Sequence, residues 1–543
     1  MNELGTAEIA QRLERLTELS VELSANRDTG LLLERILRAA KSMTHADGGT
    51  LYRTTPDRKS LRFHISLNDT LGMYQGGVKG QAIEMPDIPL FTENGDKNLT
   101  AVAAYAANTG MSVNISDVYN IELFNFAGVR KFDEQYDYHS ESFLTVPMRD
   151  HAGEVIGVLQ LINAKDPRTG KTRAFSNTDQ RFIEALASQA AIAITNQELI
   201  ALLENLFESF VKLINIGLDE KSPHTGRHCE NVPELTMMLA EAVHATSTGP
   251  FAGFRLSENE RKQLWLAGLL HDCGKITTPV HVVEKATKLE TIVDRIHMVD
   301  TRFEVLKRDA EIRALRKKCL RAALNPLDEA EIDSALRREL EQLGADRDFL
   351  RRANIGSEGM SEQDQQCVRE IARHRWVGPD GTERDLLDAN EIENLTIRAG
   401  TLTHAEREII NNHICVTVRM LESLPWPRHL QNVPEYAGGH HERMDGKGYP
   451  RGLTGDQMSV PARIMAIADI FEALTARDRP YKKGKTLSES LEILGGFCLR
   501  QHIDPDLFDV FIREKVYLEY ARRFMDPSQI DEVDESRIPG YRP

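Results

Sequence analysis

The chain has 543 residues and a formal net charge of −16, with 41% hydrophobic and 28% charged residues. This length is too great for one compact core and predicts several domains. The negative charge excludes a general affinity for nucleic-acid backbones, so a phosphate-bearing ligand would need a local site with its own positive charge.

Apolar runs and cysteines exclude two further classes of protein. The longest apolar runs, such as 464–467, are far shorter than a membrane span, and the first residues lack the pattern of a secretion signal. We therefore expect a cytoplasmic protein with no membrane and no nucleic-acid partner. The six cysteines form no CxxC pair, which argues against a disulfide framework or a zinc ribbon.

The first 200 residues change from helical to strand-like periodicity. Leucines at helical spacing predict an N-terminal helix over 1–24. We expect an α+β domain over 25–200, with a central antiparallel sheet, flanking helices and a hairpin turn at 150–153. Short apolar segments predict its strands at 50–53, 61–65, 142–148 and 154–163.

A long helix leads from this domain into the rest of the chain. It begins after a cap at Ser176 or Asn177, and its apolar spacing continues through Ile216. The segment 201–220 is therefore interpreted as a connecting helix, which either transmits a signal as one stiff rod or serves as a spacer.

Residues from 206 onward are nearly all helical in pattern. We expect an all-α domain over 206–510, followed by a C-terminal helix and tail over 511–543. A charged segment over 290–400 interrupts this domain, and we interpret it as a helical insertion that is a lid, a dimer contact or a partner surface. Its expected helices are divided near Asn325-Pro326 and at Gly344, and they span 301–324, 327–343 and 361–376.

Two pairs of adjacent residues and one aspartate indicate a metal centre. His271-Asp272 ends an apolar helix, and neighbours on a helix point about 100° apart, so the pair can serve two metal ions. His440-His441 is the second pair, and two consecutive histidines rarely find core partners for four ring nitrogens. Asp469 lies within an apolar helix, where an unpaired carboxylate requires a cation.

These residues belong to an ordered set of motifs. The set comprises His228, His271-Asp272, Gly274-Lys275, His413, His440-His441, Gly448-Tyr449-Pro450, Asp469 and Arg479-Pro480-Tyr481. It resembles the HD-GYP family, a branch of the HD phosphohydrolases. Upstream, the segment 25–200 resembles the GAF family. The resemblance rests on Val146-Pro-Met, 153–163 and 185–196.

The HD-GYP resemblance implies two divalent metal ions, with iron or manganese as the expected metals. The first ion would be held by His228, His271, Asp272 and Asp469, and the second by His413, His440, His441 and the bridging Asp272. His224 stands four residues before His228. Whether His224 helps to hold a third metal ion or faces solvent is left open.

The same resemblance assigns residues to the substrate. Asp272 and Lys275 are the expected catalytic residues, with Lys275 contacting the scissile phosphate or protonating the leaving oxygen. Arg479, Lys482 and Tyr449 are expected to contact the substrate together with Lys275. The loop around Tyr449 is expected to be structural or to meet a GGDEF-domain partner.

The implied function is hydrolysis of the bacterial second messenger cyclic di-GMP to pGpG and onward to GMP, by a hydroxide that two metal ions activate and under control of the GAF domain. A mixed GMP–AMP cyclic dinucleotide is the alternative substrate. A catalytically weak signalling or scaffold protein is the alternative from another class.

The GAF resemblance implies a homodimer formed through the helices at the two ends of the domain. A small ligand in the GAF domain is left open. The residues that loosely follow the pattern of GAF domains binding cyclic nucleotides are Asn125, Phe132, Asp133 and Glu134.

Overall fold

The computed structural model describes Glu14, Thr17, Glu18 and residues 29–320, 326–356, 359–477 and 484–543, with the backbone alone for 223–226 and 326–327. The chain divides into two compact units, Met1–Phe207 and Glu208–Pro543. Among the residues described, no helix is long and apolar enough to span a membrane.

The N-terminal unit is built on one antiparallel sheet with strand order β3-β2-β1-β7-β6-β5, in which β4 also pairs with β2 and β8 with β7. Its elements are α1 (Thr29–Thr44), β1 (Ala46–Thr54), β2 (Ser60–Asn68), β3 (Met73–Gly76), β4 (Ile88–Pro89), α2 (Val102–Thr109), β5 (Val113–Ile115), α3 (Ala127–Tyr136), β6 (Phe143–Arg149), β7 (Val155–Lys165), β8 (Thr172–Arg173) and the start of α4 (Asn177–Lys221). The expected hairpin joins β6 and β7, and Gly153 supplies the positive φ of 82° that its turn requires.

Apolar side chains cover both faces of the sheet. Neighbouring residues on a strand point to opposite faces, and accordingly Leu51 joins the core formed with α1 and α4, whereas Tyr52 joins the core formed with α2. Three buried alanines of α2 let that helix approach the sheet closely. The α+β architecture expected from the sequence is therefore confirmed.

Helix α4 is the long helix that the sequence predicts. The Ser176 hydroxyl caps its start by accepting a hydrogen bond from the Asp179 N–H at 3.0 Å. The helix then continues for 45 residues to Lys221.

In its described residues the C-terminal unit is helical apart from one small hairpin, which confirms the expected fold class. Its elements are α5 (Pro223–Ala245), α6 (Glu258–Leu270), α7 (Val280–Val283), α8 (Ile296–Leu320), α9 (Pro326–Asn354), α10 (Glu362–Ile371), β9 (Arg375–Val377), β10 (Glu383–Asp385), α11 (Ala389–Leu395), α12 (His404–Asn411), α13 (His413–Glu422), α14 (Val433–Gly438), α15 (Val460–Thr475), α16 (Leu487–Leu499), α17 (Pro505–Arg513) and α18 (Val516–Phe524). Helix α15 is buried along most of its length and packs against α5, α14 and α16.

The segment between α7 and α12 has an apolar core of its own, formed mainly by α8, α9, α10 and α11. The expected break at Gly344 is wrong, because α9 runs through it. A helical glycine costs only about 1 kcal/mol, and the burial of Leu343 and Leu350 offsets that cost. The expected helix through Trp376 is also wrong: the turn at 378–381 folds β9 back onto β10, and Trp376 lies in β9.

Candidate metal centre

Among the described residues of the C-terminal unit, two clusters of three potential ligands are present. The ligand atoms of His228, His271 and Asp272 all lie within 4.8 Å of one another, and those of His413, His440 and His441 do the same. Residues far apart in the sequence, on both sides of the segment between α7 and α12, are thus brought together as the motif order suggests.

Asp272 lies between the two clusters. Its Oδ2 is 3.5 Å from His228 Nε2 and 3.4 Å from His271 Nε2, whereas its Oδ1 is 3.1 Å from His413 Nε2. One carboxylate therefore presents an oxygen to each cluster.

Asp469 belongs with the first cluster. From the middle of α15 its Oδ1 lies 3.0 Å from His228 Nε2 and 3.7 Å from His271 Nε2. The buried carboxylate that the sequence singles out is therefore placed among histidine nitrogens.

Gly274 allows the two clusters to approach. A side chain at this position would place its Cβ 2.0 Å from the carbonyl oxygen of His413, so only glycine fits. The Gly274 N–H donates to the Thr417 hydroxyl at 2.9 Å. The 3₁₀ turn after Asp272 is thereby joined to α13, the helix that begins with His413.

Backbone carbonyls orient three of the histidine rings. The Nδ1 atoms of His271, His413 and His440 lie 2.7, 2.6 and 2.7 Å from the carbonyl oxygens three residues earlier. An Nδ1–H that donates to a carbonyl leaves the Nε2 lone pair available to a metal ion.

Glu472 orients the remaining histidine of the first cluster, and sequence reasoning missed it. Its carboxylate contacts His228 Nδ1 and accepts from Asn231 Nδ2 at 3.3 Å. Glu472 lies three residues after Asp469, on the same side of α15. That spacing was the available signal.

The two clusters differ in their electrostatics. Burial lowers the pKa of His228 and His271, but nearby carboxylates outweigh it, so that the pKa of His228 is well above its usual range and that of His271 is about 9. Burial, together with the neighbouring histidines, lowers the pKa of His440 far below its usual range and brings that of His441 to about 4. His440 and His441 are therefore neutral imidazoles.

The carboxylates of the centre are ionised. Burial opposes this state, but Lys275 and His271 hold the pKa of Asp272 well below its usual range. His228 and His271 do the same for the pKa of Asp469. The centre thus combines ionised carboxylates with imidazoles, which is a donor set suited to divalent transition metals.

Orphaned polar atoms test whether metal ions fit here. Within the described part of the chain, His440 Nε2 and Asp272 Oδ1 are buried and have no hydrogen-bond partner. The Nε2 atoms of His228 and His271 face each other at 3.3 Å, as do those of His413 and His441. Buried polar atoms are nearly always satisfied, and cations between these atoms would satisfy them. The residues present therefore fit two metal ions.

Family models match both units of the chain. A model described as GAF domain matches residues 28–194, and two models described as HD domain match residues 225–355 and 389–507. The chain therefore combines a region that matches the GAF domain with a region that matches the HD domain. The two HD matches lie on either side of the segment 356–388.

Curated relatives match parts of the chain. The 3'3'-cGAMP-specific phosphodiesterase 1 of Vibrio cholerae serotype O1 is 48% identical over 81 residues, which cover 15% of this chain and 19% of that protein. The 3'3'-cGAMP-specific phosphodiesterase 3 of the same organism is 34% identical over 149 residues, covering 27% and 29%. The cyclic di-GMP phosphodiesterase response regulator RpfG of Xanthomonas campestris pv. campestris is 31% identical over 207 residues, covering 37% and 52%.

The chain thus spans between a fifth and about half of the length of these relatives. Among solved structures, the GAF domain from Acinetobacter phosphoenolpyruvate-protein phosphotransferase is 15% identical with a TM-score of 0.26, covering 35% of this chain and 97% of that one.

Two of the expected substrate residues lie beside the candidate metal ligands. Lys275 Nζ donates to Asp272 Oδ2 at 2.5 Å. The Tyr449 ring stacks on His441, with ring centroids 4.8 Å apart and planes 23° apart. Arg479 and Lys482 lie outside the described residues, as does the side chain of His224.

The expected GAF ligand residues make separate local contacts. Asn125 accepts a hydrogen bond from the Ala127 N–H, and the buried Asp133 accepts from the hydroxyls of Tyr119 and Ser140. Phe132 packs against Tyr136 and Tyr138, and Glu134 is exposed. These contacts account for Asp133 and Phe132 without a ligand.

Proposed function

We propose that this chain is a cyclic-dinucleotide phosphodiesterase that acts through two divalent metal ions. The observation that carries the proposal is the Asp272 carboxylate, which offers one oxygen to each histidine cluster. The names of the relatives, which are phosphodiesterases for 3'3'-cGAMP and cyclic di-GMP, support the substrate class.

The proposed ligands follow from the two clusters. One ion would be held by His228, His271, Asp272 and Asp469, and the other by Asp272, His413, His440 and His441. Iron and manganese are the expected metals. Such ions supply Lewis-acid activation of water and neutralise charge on the phosphate. A third ion with His224 as a ligand remains part of the proposal.

The chain's own residues prepare the site for attack on phosphorus. Carbonyls and Glu472 fix the orientation of the rings, so little reorganisation is needed when a ligand binds. Burial opposes protonation of Lys275, but Asp272 raises its pKa, so its ammonium stays charged. Lys275 is proposed to contact the scissile phosphate and to give a proton to the leaving oxygen.

Tyr449 is proposed to hold the ring of His441 by stacking and to contact the substrate. Arg479 and Lys482 are proposed to contact the substrate phosphates or bases. The loop around Tyr449 is also the proposed contact for a GGDEF-domain partner.

Cyclic di-GMP is the first candidate substrate, with pGpG and then GMP as products. A mixed GMP–AMP cyclic dinucleotide is the second, and the two 3'3'-cGAMP-specific relatives favour it. Both have the same phosphodiester chemistry and differ only in the base contacts they need.

We propose that the GAF domain regulates this activity and that the chain forms a homodimer. Helix α4 exposes a run of leucines and isoleucines with 44–63% of their surface accessible, namely Leu199, Ile200, Leu202, Leu203 and Leu206. A run of this kind is typical of helix pairing with a second copy. A small ligand in the GAF domain remains part of the proposal.

The proposed division of the chain follows the sequence boundaries. It places the N-terminal helix at 1–24, the GAF domain at 25–200, the connecting helix at 201–220, the catalytic domain at 206–510 with its insertion at 290–400, and the C-terminal helix and tail at 511–543.

The test is product analysis with metal-loaded protein purified without oxygen. We expect wild type to hydrolyse at least one of cyclic di-GMP and 3'3'-cGAMP, and Asp272→Ala to lose this activity while the matched control Asp385→Ala, an exposed carboxylate on β10, keeps it. Full turnover by Asp272→Ala would overturn the mechanism. Inactive wild type with intact metal content would favour the scaffold alternative.

A further inference from the structure

The cavity above the metal cluster extends well beyond the ligands. Its volume is about 1290 Å³, whereas small-molecule sites measure about 300–1,000 Å³. Its lining includes 399–402 with Arg407 and Ile410 of α12, directly after the segment with its own core, and it also includes residues of α16. The cavity therefore has room for more of a ligand than the phosphodiester group at the metals.

Most of the basic side chains that line this cavity are engaged. Lys275 pairs with Asp272, and Arg477 pairs with Asp526. Lys285 is fully buried and pairs with Glu406 at 2.7 Å. Arg227 and Lys485 have interaction partners as well.

Two lining arginines have no carboxylate partner among the described residues. Arg500 lies over the ring of Phe497, 5.1 Å from its centroid. Arg407 is exposed and reaches only the Ala399 carbonyl oxygen, at the long distance of 3.4 Å. Arg407 thus presents a guanidinium to the cavity with neither a carboxylate nor an aromatic ring to hold it.

Helix α12 connects Arg407 to the second histidine cluster through Ile410. Arg407 precedes Ile410 by three residues, which is about 4.5 Å along a helix axis, and both residues line the cavity. The carbonyl oxygen of Ile410 in turn accepts from His413 Nδ1. One helix face therefore carries both the support of a cluster histidine and a free guanidinium.

Neighbouring contacts fix the start of α12. Glu406, adjacent to Arg407, accepts hydrogen bonds from the buried Lys285 ammonium and from the Thr403 hydroxyl. The Thr401 hydroxyl donates to the Lys285 carbonyl oxygen at 2.9 Å. These bonds tie α12 to the chain on the other side of the segment between α7 and α12, so the position of Arg407 is set by a rigid frame.

We propose that Arg407 binds the second phosphodiester of the cyclic dinucleotide, the one that is not being hydrolysed; this inference rests on the proposed function. A cyclic dinucleotide carries two phosphodiester anions, and the metal centre neutralises only one. In a chain with a net charge of −16 the other needs a local cation, and Arg407 would supply one in addition to the proposed contacts of Arg479 and Lys482. A planar guanidinium can bind it with two parallel hydrogen bonds.

The test compares Arg407→Gln with wild type as full-length, metal-loaded protein. The substrates are cyclic di-GMP, 3'3'-cGAMP and bis(p-nitrophenyl) phosphate, which has a single phosphodiester. We expect the KM for the cyclic dinucleotides to rise by about ten- to a hundredfold. The kcat should change by less than about threefold, because the second phosphodiester gains no charge in the transition state.

In Arg407→Gln the kcat/KM for bis(p-nitrophenyl) phosphate should fall much less than the kcat/KM for the cyclic dinucleotides. The two fold-reductions should differ by a factor of at least about ten. Arg407→Lys should bring the KM part of the way back to the wild-type value, because lysine restores the positive charge but not the planar pair of N–H donors. Arg500→Gln is the matched control, since it removes the same charge from another residue of the cavity lining.

Several results would overturn the inference. One is an unchanged KM in Arg407→Gln, and another is an equal rise in Arg500→Gln, which would indicate a general field rather than a subsite. An equal loss on bis(p-nitrophenyl) phosphate would also overturn it, because it would place the defect at the metal centre. Wild type that hydrolyses neither cyclic dinucleotide would instead refute the proposed function, and the subsite with it.

Discussion

The two histidine clusters have similar ligand geometry but different charge. His228 and His271 face three ionised carboxylates, those of Asp272, Asp469 and Glu472. His440 and His441 are neutral, and among the described residues the carboxylate in direct contact with their cluster is that of Asp272, through His413. The first cluster therefore offers charge neutralisation to a bound cation, and the second offers mainly imidazole nitrogens.

Because of this difference, Asp272 has a different role in each cluster. For the first cluster it is one contacting carboxylate among several, whereas for the second it is the carboxylate in direct contact and Asp469 acts from a greater distance. We therefore expect metal affinity to depend on Asp272 more strongly in the second cluster. The predictions below separate the two clusters.

The largest effect is expected for Asp272→Ala. Both clusters lose a ligand, so we expect metal content to fall from two ions per chain towards none and kcat/KM to fall on the order of a thousandfold. His440→Ala removes a ligand from the second cluster alone and should leave one ion bound. Metal analysis of the two variants side by side is the measurement, and equal metal content in both would contradict the bridging role.

The next largest effect is expected for Gly274→Ala. The added Cβ would overlap backbone atoms of His413 and Thr417, so the turn after Asp272 and α13 must move apart, which separates the two clusters. We expect a loss of about 1–3 kcal/mol in the free energy of unfolding, together with loss of metal. Thermal unfolding and metal content measure the two effects.

Gly344→Ala is the matched control for this glycine. The space around Gly344 in α9 is open, and alanine stabilises a helix interior by about 1 kcal/mol relative to glycine. A Gly274→Ala protein as stable and as rich in metal as Gly344→Ala would show that close approach at Gly274 is unimportant.

The clusters also differ in how far the sequence could predict them. The adjacent pairs His271-Asp272 and His440-His441 and the buried Asp469 stand out because such groups are costly in a core without a cation. Glu472 does not stand out, because a glutamate near the end of a helix usually faces solvent. Its role depends on His228, 244 positions away, so only the folded chain reveals it.

The same limit applies to the fold. Four strands of the sheet, β1, β2, β6 and β7, and the cap of α4 follow from local periodicity and local hydrogen bonds, and the sequence predicts them, whereas the short strands β3, β4, β5 and β8 are not predicted. The course of α9 through Gly344 and the strand at Trp376 depend on packing within the segment between α7 and α12, which local preference does not encode. Arg407 was missed for a similar reason, because a single arginine on a charged helix is ordinary until the cavity is known.

Glu472→Gln is expected to have an intermediate effect confined to the first cluster. The amide still reaches His228 Nδ1 but no longer carries a negative charge, and loss of such an outer partner typically costs about 10–100-fold in metal affinity. Titration of metal into the metal-free protein should show one weakened site and one unchanged site. Weakening of both sites by the same factor would contradict the separation of the clusters.

The smallest effect is expected at Tyr449, which sharpens the comparison on the second cluster. Tyr449→Phe keeps the ring that stacks on His441 and removes only a hydroxyl whose hydrogen bond to Asn411 is long, at 3.4 Å. We expect kcat/KM to change by less than about twofold. Tyr449→Ala removes the stack as well, and since aromatic pairs contribute about 0.5–1.5 kcal/mol, kcat/KM should fall by about three- to tenfold. A larger loss in Tyr449→Phe than in Tyr449→Ala would mean that the hydroxyl, not the ring, supports the second cluster.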